Sequence, residues 1–592
     1  MTEIVSSPIV GRVCKHVHQG FSRINKFDDL TALKITNVHA DGSRSEEFKL
    51  VKNFQQPLWI VKPEHRKFKQ QKDYIEQKKC RPFKSNAAKM AYTISNVLHG
   101  QPNPKADLRM MMSSPYVFGI DQSVPVFLKQ KYFDLYEEYQ QTERYTVAGY
   151  DVETDMEKPD QPVMMASVTF RERAYFATVR SWWDGLTDDE ILAGLKAEET
   201  KQFAEELKTR KCVIEYEVVD TPAEIVKRCI DKFHSWSPDL VASWNATYDM
   251  EKNEEALNAN RYPLARIYSD PTIPDEYAFY RLDKGRTHKI KENGDKSSLE
   301  PQEKFPTVRC MARWQWLDFM SFYAIKRAGG GKLDSYTLND CAKREGVEGK
   351  LYTEEGSHLI EGKADWHRYM QKHHKFIYSM YNIKDNWIME DLNDKTLDLS
   401  MSFPLLIKSS EYFNYPSQPR IISDALSFIA RDNGYVWGCV GNNTKNEFND
   451  LLPTLKNWIA LLQTEKNADK GYKLFQGLMD VYSTGRSSVS DVDVEGAYPT
   501  ATLTANVSNF TTQIEVCRMQ GKDQFKQREI SINYASSPEA NAIGLCEELY
   551  HFPSYDSVQN VFERILEENN VLTKFKSFVD NKEEVVDVEE IF

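Results

Sequence analysis

The sequence predicts a multidomain α/β (α+β) protein, on three observations. Its 592 residues exceed what one hydrophobic core serves, since domains run to about 100–200 residues and the length predicts about three or four domains or subdomains. Strand-like and helix-like segments alternate from about residue 141 to residue 250, the pattern of an α/β unit. Ahead of that alternation the chain is strand-rich and punctuated by turn residues.

In chain order, "LTALKITNVHADGSRSEEFKLVKNF" holds two strand-like runs around an Asp-Gly turn, which predicts a hairpin, and "PLWIVKP" follows as a further strand. "SNAAKMAYTISNVLHG" has apolar residues at helical spacing and stops at Gly100, a helix with a glycine C-terminal signal. "YTVAGYDVET" and "PVMMASVTF" read as strands, "DDEILAGLKAEETKQFAEELKTR" as a helix, and "TPAEIVKRCIDKFHSWSPDLVASWN" as a helix and then a strand. The polar run from Asp283 to Lys304 predicts an exposed loop or hairpin insertion. Beyond Lys395 the periodicity loosens, and a further unit begins near "KGYKLFQGLMDV". The expected division is 1–140 (N-terminal, β-rich), 141–395 (α/β), 396–470 (linker) and 471–592 (a last unit with an acidic tail).

Composition excludes several classes. No apolar run approaches the roughly 20 residues of a membrane-spanning helix, and the start has no secretory signal pattern. The nine cysteines form no C-x-x-C pair, so reduced thiols and a cytoplasmic location are expected. "GGGK" at Gly329–Lys332 lacks the spacing of a phosphate-binding loop. A net charge of −12 does not announce a nucleic-acid binder. Locally, however, "KPEHRKFKQQKDYIEQKKCRPFK" interleaves Lys67, Lys69, Lys72 and other basic residues with Phe68, Tyr74 and Phe83. That composition suits a surface contacting DNA phosphates, and equally a solvated charged face.

The chemistry concentrates in carboxylates. On a strand, residues two apart share a face, so Asp151 and Glu153 of "AGYDVETDME" converge while Val152 points the other way. "SWNATYDMEK" adds Asp249 near a helix start, with Asn245 four residues before it and Tyr248 beside it. In "MYNIKDNWIMEDL" the i,i+4 pair Tyr381 and Asp385 shares one helical face. Singly these read as a surface acid, a helix cap and a core tyrosine. Together they offer the hard oxygen donors that divalent cations prefer.

In this order the three segments resemble the three motifs of DEDD-type 3′–5′ exonucleases. The resemblance implies a ribonuclease H-like fold that gathers Asp151, Glu153, Asp249 and Asp385 around two Mg²⁺ or Mn²⁺ ions. It further implies that Tyr381 orients the attacking water and that Asn245 contacts DNA. A later stretch, "DVDVEGAYPT", has Asp493, Tyr498, Pro499 and Thr500 where motif A of family B DNA polymerases has D-x-x-S-L-Y-P-S, with Gly496 and Ala497 departing from it. "GGGKLDSYTLNDCAK" and "YKLFQGLMDV" resemble neighbouring segments of that family, and the likeness runs from about Asp28 to Ala542. "NFQQPLWIV" most resembles the replicative polymerases of T-even-like bacteriophages.

The resemblance implies that Asp493 binds both polymerase metals and that Tyr498 lies under the nucleotide sugar as a steric gate. Neither the motif C pattern Y-x-D-T-D nor a fingers helix with its lysine follows Asp493. The expectation is therefore the N-terminal part of a split polymerase acting in the host-cell cytoplasm: an N-terminal domain, an exonuclease at 141–395, a return segment at 396–470 and a partial palm at 471–592. Expected partners are single-stranded and primer-template DNA, deoxynucleoside triphosphates, a second chain carrying motifs B and C that completes two more metal positions, and a sliding clamp; no membrane is expected, and the acidic tail reads first as a frayed end and second as a docking peptide. Two alternatives stand beside it: a free-standing exonuclease with a decayed palm, and a non-catalytic DNA-binding scaffold.

Overall fold

A computed structural model describes residues 7–438 apart from 67–73, 109–110, 112–113, 286–287, 291–294 and 416–417. The chain divides into two units, Met1–His65 with Lys72–Cys439, and Arg66–Gln71 with Val440–Phe592. The architecture below is that of the first. Asp493, Tyr498, Lys67, Lys69, Lys72, the palm expected at 471–592 and its acidic tail lie outside the described residues.

The N-terminal third is built of small antiparallel sheets. β1 (Ile9–Phe21), β2 (Asp29–His39) and β3 (Arg44–Lys52) form one. The predicted hairpin joins β2 to β3, with Gly42 at φ +83. β4 (Gln56–Val61) pairs with β6 (Cys80–Ser85) and β7 (Val117–Phe118), while β5 (Tyr74–Glu76) joins a strand from the far end of the described chain. Helix α1 (Met90–His99) ends where expected, with Gly100 left-handed at φ +70. α2 (Val124–Leu135) packs on β1, and α3 (Glu137–Thr142) leads into the α/β part.

That part is one mixed eight-stranded sheet. In chain order its strands are β8 (Val147–Thr154), β9 (Val163–Phe170), β10 (Arg173–Val179), β11 (Val213–Val219), β12 (Leu240–Ser243) and β13 (Tyr280–Asp283), then, after the short hairpin β14 (Lys289–Ile290) and β15 (Lys296–Ser297), β16 (Thr307–Cys310) and β17 (Gln315–Asp318). The spatial order is β11-β10-β9-β8-β12-β17-β16-β13. β8 stands in the middle, antiparallel to β9 and parallel to β12.

Helices cover both faces. α4 (Asp188–Arg210) and α5 (Pro222–Trp236) each open with a capping box, Thr187 with Glu190 and Thr221 with Glu224. α6 (Ala246–Ala259), α7 (Leu264–Tyr268), α8 (Phe319–Arg327), α9 (Leu338–Arg344) and α10 (Ala364–His373) follow, then the 22-residue α11 (Lys375–Thr396). Successive residues of β8 report the two faces. Tyr150 meets Phe233 of α5 at a 5.8 Å ring separation, whereas the next residue, Asp151, meets Asn382 of α11. Val152 is buried, as its position predicts.

Beyond Lys395 the chain is more regular than its sequence suggests. α12 (Phe403–Ile407) and the 15-residue α13 (Gln418–Asp432) form there, followed by β18 (Tyr435–Trp437), which pairs with β5. α13 has apolar residues at helical spacing, Ile421, Ala425 and Phe428 beside Ile422, Leu426 and Ile429, and long-range hydrogen bonds from Arg420 to Asp121 and from Arg431 to Gln122 hold it in place. The N-terminal sheet is tied to the large one by buried charge: Asp239, before β12, lies 2.9 Å from Lys34 Nζ and 3.5 Å from Lys15 Nζ. No helix among the described residues is long and apolar enough to cross a membrane. The described cysteines, Cys14, Cys80, Cys212, Cys229, Cys310 and Cys341, are unpaired and buried.

Candidate metal centre

The centre begins with how closely α11 lies on β8. Gly149 makes this possible: a Cβ there would come within 3.0 Å of Asn386 Cβ. Asn386 Nδ2 donates to the carbonyl and hydroxyl oxygens of Ser167 on β9, at 2.9 and 2.8 Å, and Ser167 Oγ donates to the Asn382 carbonyl at 3.1 Å. The helix is buried nearly all round, so its polar residues must find partners inside. Four of them, Tyr378, Tyr381, Asn382 and Asp385, follow i, i+3, i+4, i+7 spacing and form a single stripe facing Asp151 and Glu153.

One carboxylate oxygen each from Asp151, Glu153 and Asp385 falls within 4.8 Å of the others. Crowding like charges away from water disfavours ionisation. Burial, then Glu153, Asp249 and Asp385, raises Asp151 well above the usual carboxylate range. Burial pushes Glu153 up to about 7, against the hydrogen bond from Tyr378 that pulls it down. Asp385 is raised by burial, against the pull of Lys350. Asp249 lies beside the group, not within the 4.8 Å set; burial, with added repulsion from Asp318 and Glu153, raises it strongly. Its placement follows from α6, where it sits in the first turn with Asn245 as the preceding cap residue. Asn245 itself is exposed and makes no side-chain cap bond.

Sequence reasoning missed Lys350. Its Nζ lies 2.5 Å from Asp385 Oδ2 and donates to Tyr381 Oη at 2.7 Å. Although burial works against its charge, Asp385 holds the ammonium protonated. Tyr381 is thus fixed by a lysine in the irregular segment after α9, and its ring stacks on Tyr378 at 5.5 Å and 9°. Nothing in "GVEGKLYT" marks this lysine, since no period runs through it. Asp318 was missed as well. It caps α8 through Ser321 N at 2.6 Å and also accepts from Ala246 N at 2.8 Å, so it locks the start of α6 that presents Asp249.

The donor set fits a divalent cation. Asp385 Oδ1 and Asp249 Oδ2 are buried with no hydrogen-bond partner among the described residues, and oxygens so placed are costly unless a cation or water meets them. Within the basic stretch, two of the described lysines, Lys78 and Lys79, pair with Glu76 at 2.6 and 2.9 Å. No protein-family model and no curated protein matches this sequence.

Proposed function

We propose that this chain is a divalent-metal 3′–5′ exonuclease forming the N-terminal part of a split family B DNA polymerase, with the nuclease domain ribonuclease H-like. The observation that carries the nuclease reading is the convergence of Asp151, Glu153 and Asp385 from a central strand and a helix 232 to 234 residues later in the chain. The eight-stranded mixed sheet with helices on both faces is compatible with that fold.

Asp151, Glu153 and Asp385 would hold Mg²⁺ or Mn²⁺, with Asp249 completing a second position. Bound there, the ions would activate water and offset charge on the departing 3′ oxygen during in-line attack on phosphorus. The Tyr381 hydroxyl, fixed by Lys350, orients the water toward the phosphodiester. Lys350 balances carboxylate charge at Asp385 before a cation arrives and adds positive potential for the phosphate. Single strands suit such a site better than duplex ends, because unpairing a terminus costs roughly a few kcal/mol.

The polymerase half rests on Asp493 and Tyr498 of the motif A-like stretch. The test is digestion of a 5′-labelled strand. Native chain in Mg²⁺ shortens it stepwise from the 3′ end, and Asp151→Ala with Glu153→Ala abolishes shortening. Equal inactivity of both in Mg²⁺ and Mn²⁺ removes the nuclease.

A further inference from the structure

Two residues of the α11 stripe have no role in the mechanism above, yet they touch the strand carboxylates. Asn382 Nδ2 donates to Asp151 Oδ2 at 2.6 Å, and the Tyr378 hydroxyl donates to Glu153 Oε2 at 2.6 Å. Each strand acid therefore has one oxygen held from the helix, and the other is left for a cation. Both side chains are buried, at 0% exposure.

Tyr378 is braced from behind by α10. His367 Nδ1 lies 2.7 Å from its hydroxyl oxygen, and Gln371 Nε2 donates to that oxygen at 3.3 Å. When His367 carries its proton on Nδ1, two donors fill the phenol oxygen, and the phenol proton has one remaining direction, toward Glu153. Gln371 also donates to Thr154 O at 3.0 Å and accepts from Met156 N at 3.0 Å. The side chain that steers Tyr378 thus also fixes the strand end next to Glu153.

We propose that Tyr378 and Asn382 are positioning residues that preset Asp151 and Glu153 as one-oxygen ligands for a divalent cation, with His367 and Gln371 orienting Tyr378. The inference rests on the metal reading above. Its physical basis is that an unrestrained glutamate loses rotamer freedom on binding an ion, whereas one already held by a buried phenol does not. Donors behind ligating groups typically change metal affinity by about 10–100-fold when removed. A packing role alone would act differently: Tyr378→Phe keeps the ring stacked on Tyr381 and deletes only the hydroxyl.

The experiment is titration of the full chain with Mn²⁺, following free aqueous Mn²⁺ by electron paramagnetic resonance, with melting in chelator measured in parallel. The relevant sites are those lost in Asp151→Ala with Glu153→Ala. Tyr378→Phe and Asn382→Leu are each expected to weaken these sites by about 10–100-fold, and His367→Phe by a smaller factor. Melting in chelator should fall for Tyr378→Phe, because Glu153, His367 and Gln371 each lose a buried partner, so affinity is compared at a temperature where both chains are folded. Should Asn382→Leu fail to fold, Tyr378→Phe and His367→Phe still decide. Native affinity in Tyr378→Phe overturns the positioning role and leaves the metal reading intact, whereas a native chain with no Mn²⁺ sites sensitive to Asp151 and Glu153 overturns both.

Discussion

Lys350 links the residue scale to the chemistry, because one ammonium touches both the tyrosine and the acid contributed by α11. Lys350→Met should tighten Mn²⁺ binding, since no ammonium then competes for Asp385, and should lower metal-free stability by about 2–3 kcal/mol by leaving a buried acid unpaired. Titration with Mn²⁺ and denaturant melts in chelator measure the two effects, and an unchanged melt contradicts the pairing. The acids also set a pH dependence. Glu153 rises from its ordinary 4.5 to about 7, so in the metal-free fold it holds a proton that the unfolded chain releases earlier. Its contribution is fully present below about pH 4.5 and is lost as pH rises through about 7; Asp151 and Asp385 shift in the same direction. Asp151→Asn with Glu153→Gln mimics the protonated pair, so in chelator this variant should gain melting temperature relative to native chain between pH 5 and pH 8. A constant difference would mean the carboxyls are not raised. These acids and Tyr381 were legible because period-two and i,i+4 rules fix side-chain direction locally. Lys350, Tyr378 and Asn382 were not, because their roles arise only where α11 meets β8 and the segment after α9.

At the scale of elements, the close approach of α11 to β8 decides whether the acids meet. Gly149→Val would insert a branched side chain against Asn386, costing about 1–3 kcal/mol by overpacking and moving Asp385 away from the strand acids. Mn²⁺ affinity should then fall more than stability alone explains, and native affinity at Gly149→Val would show that the helix is not positioned there. Local signals announced the β2–β3 hairpin, α1 with its Gly100 stop, and the helices α4 and α5. The sheet order was not legible, because β12 pairs with β8 across some ninety residues and nothing in either strand names its neighbour. α13 was legible by its apolar spacing and was passed over; what the sequence does not show is that its arginines hydrogen-bond back to Asp121 and Gln122.

For the molecule as a whole, the mixed α/β class followed from alternating segments, while the split-polymerase reading depends on a motif outside the described residues. That reading makes its own prediction. The chain alone should not extend a primer, because Asp493 leaves two ions under-coordinated without a second palm carboxylate. Mixing with a second chain carrying motifs B and C should restore synthesis, and Asp493→Ala should abolish it; extension by this chain alone would contradict the split.

Whether Asp151, Glu153 and Asp385 hold a cation is read by Mn²⁺ anomalous diffraction from crystals of the chain. Anomalous density is expected bounded by Asp151, Glu153 and Asp385, with none there in crystals of Asp151→Ala with Glu153→Ala. Well-ordered native side chains with no anomalous peak among them at millimolar Mn²⁺ would contradict it.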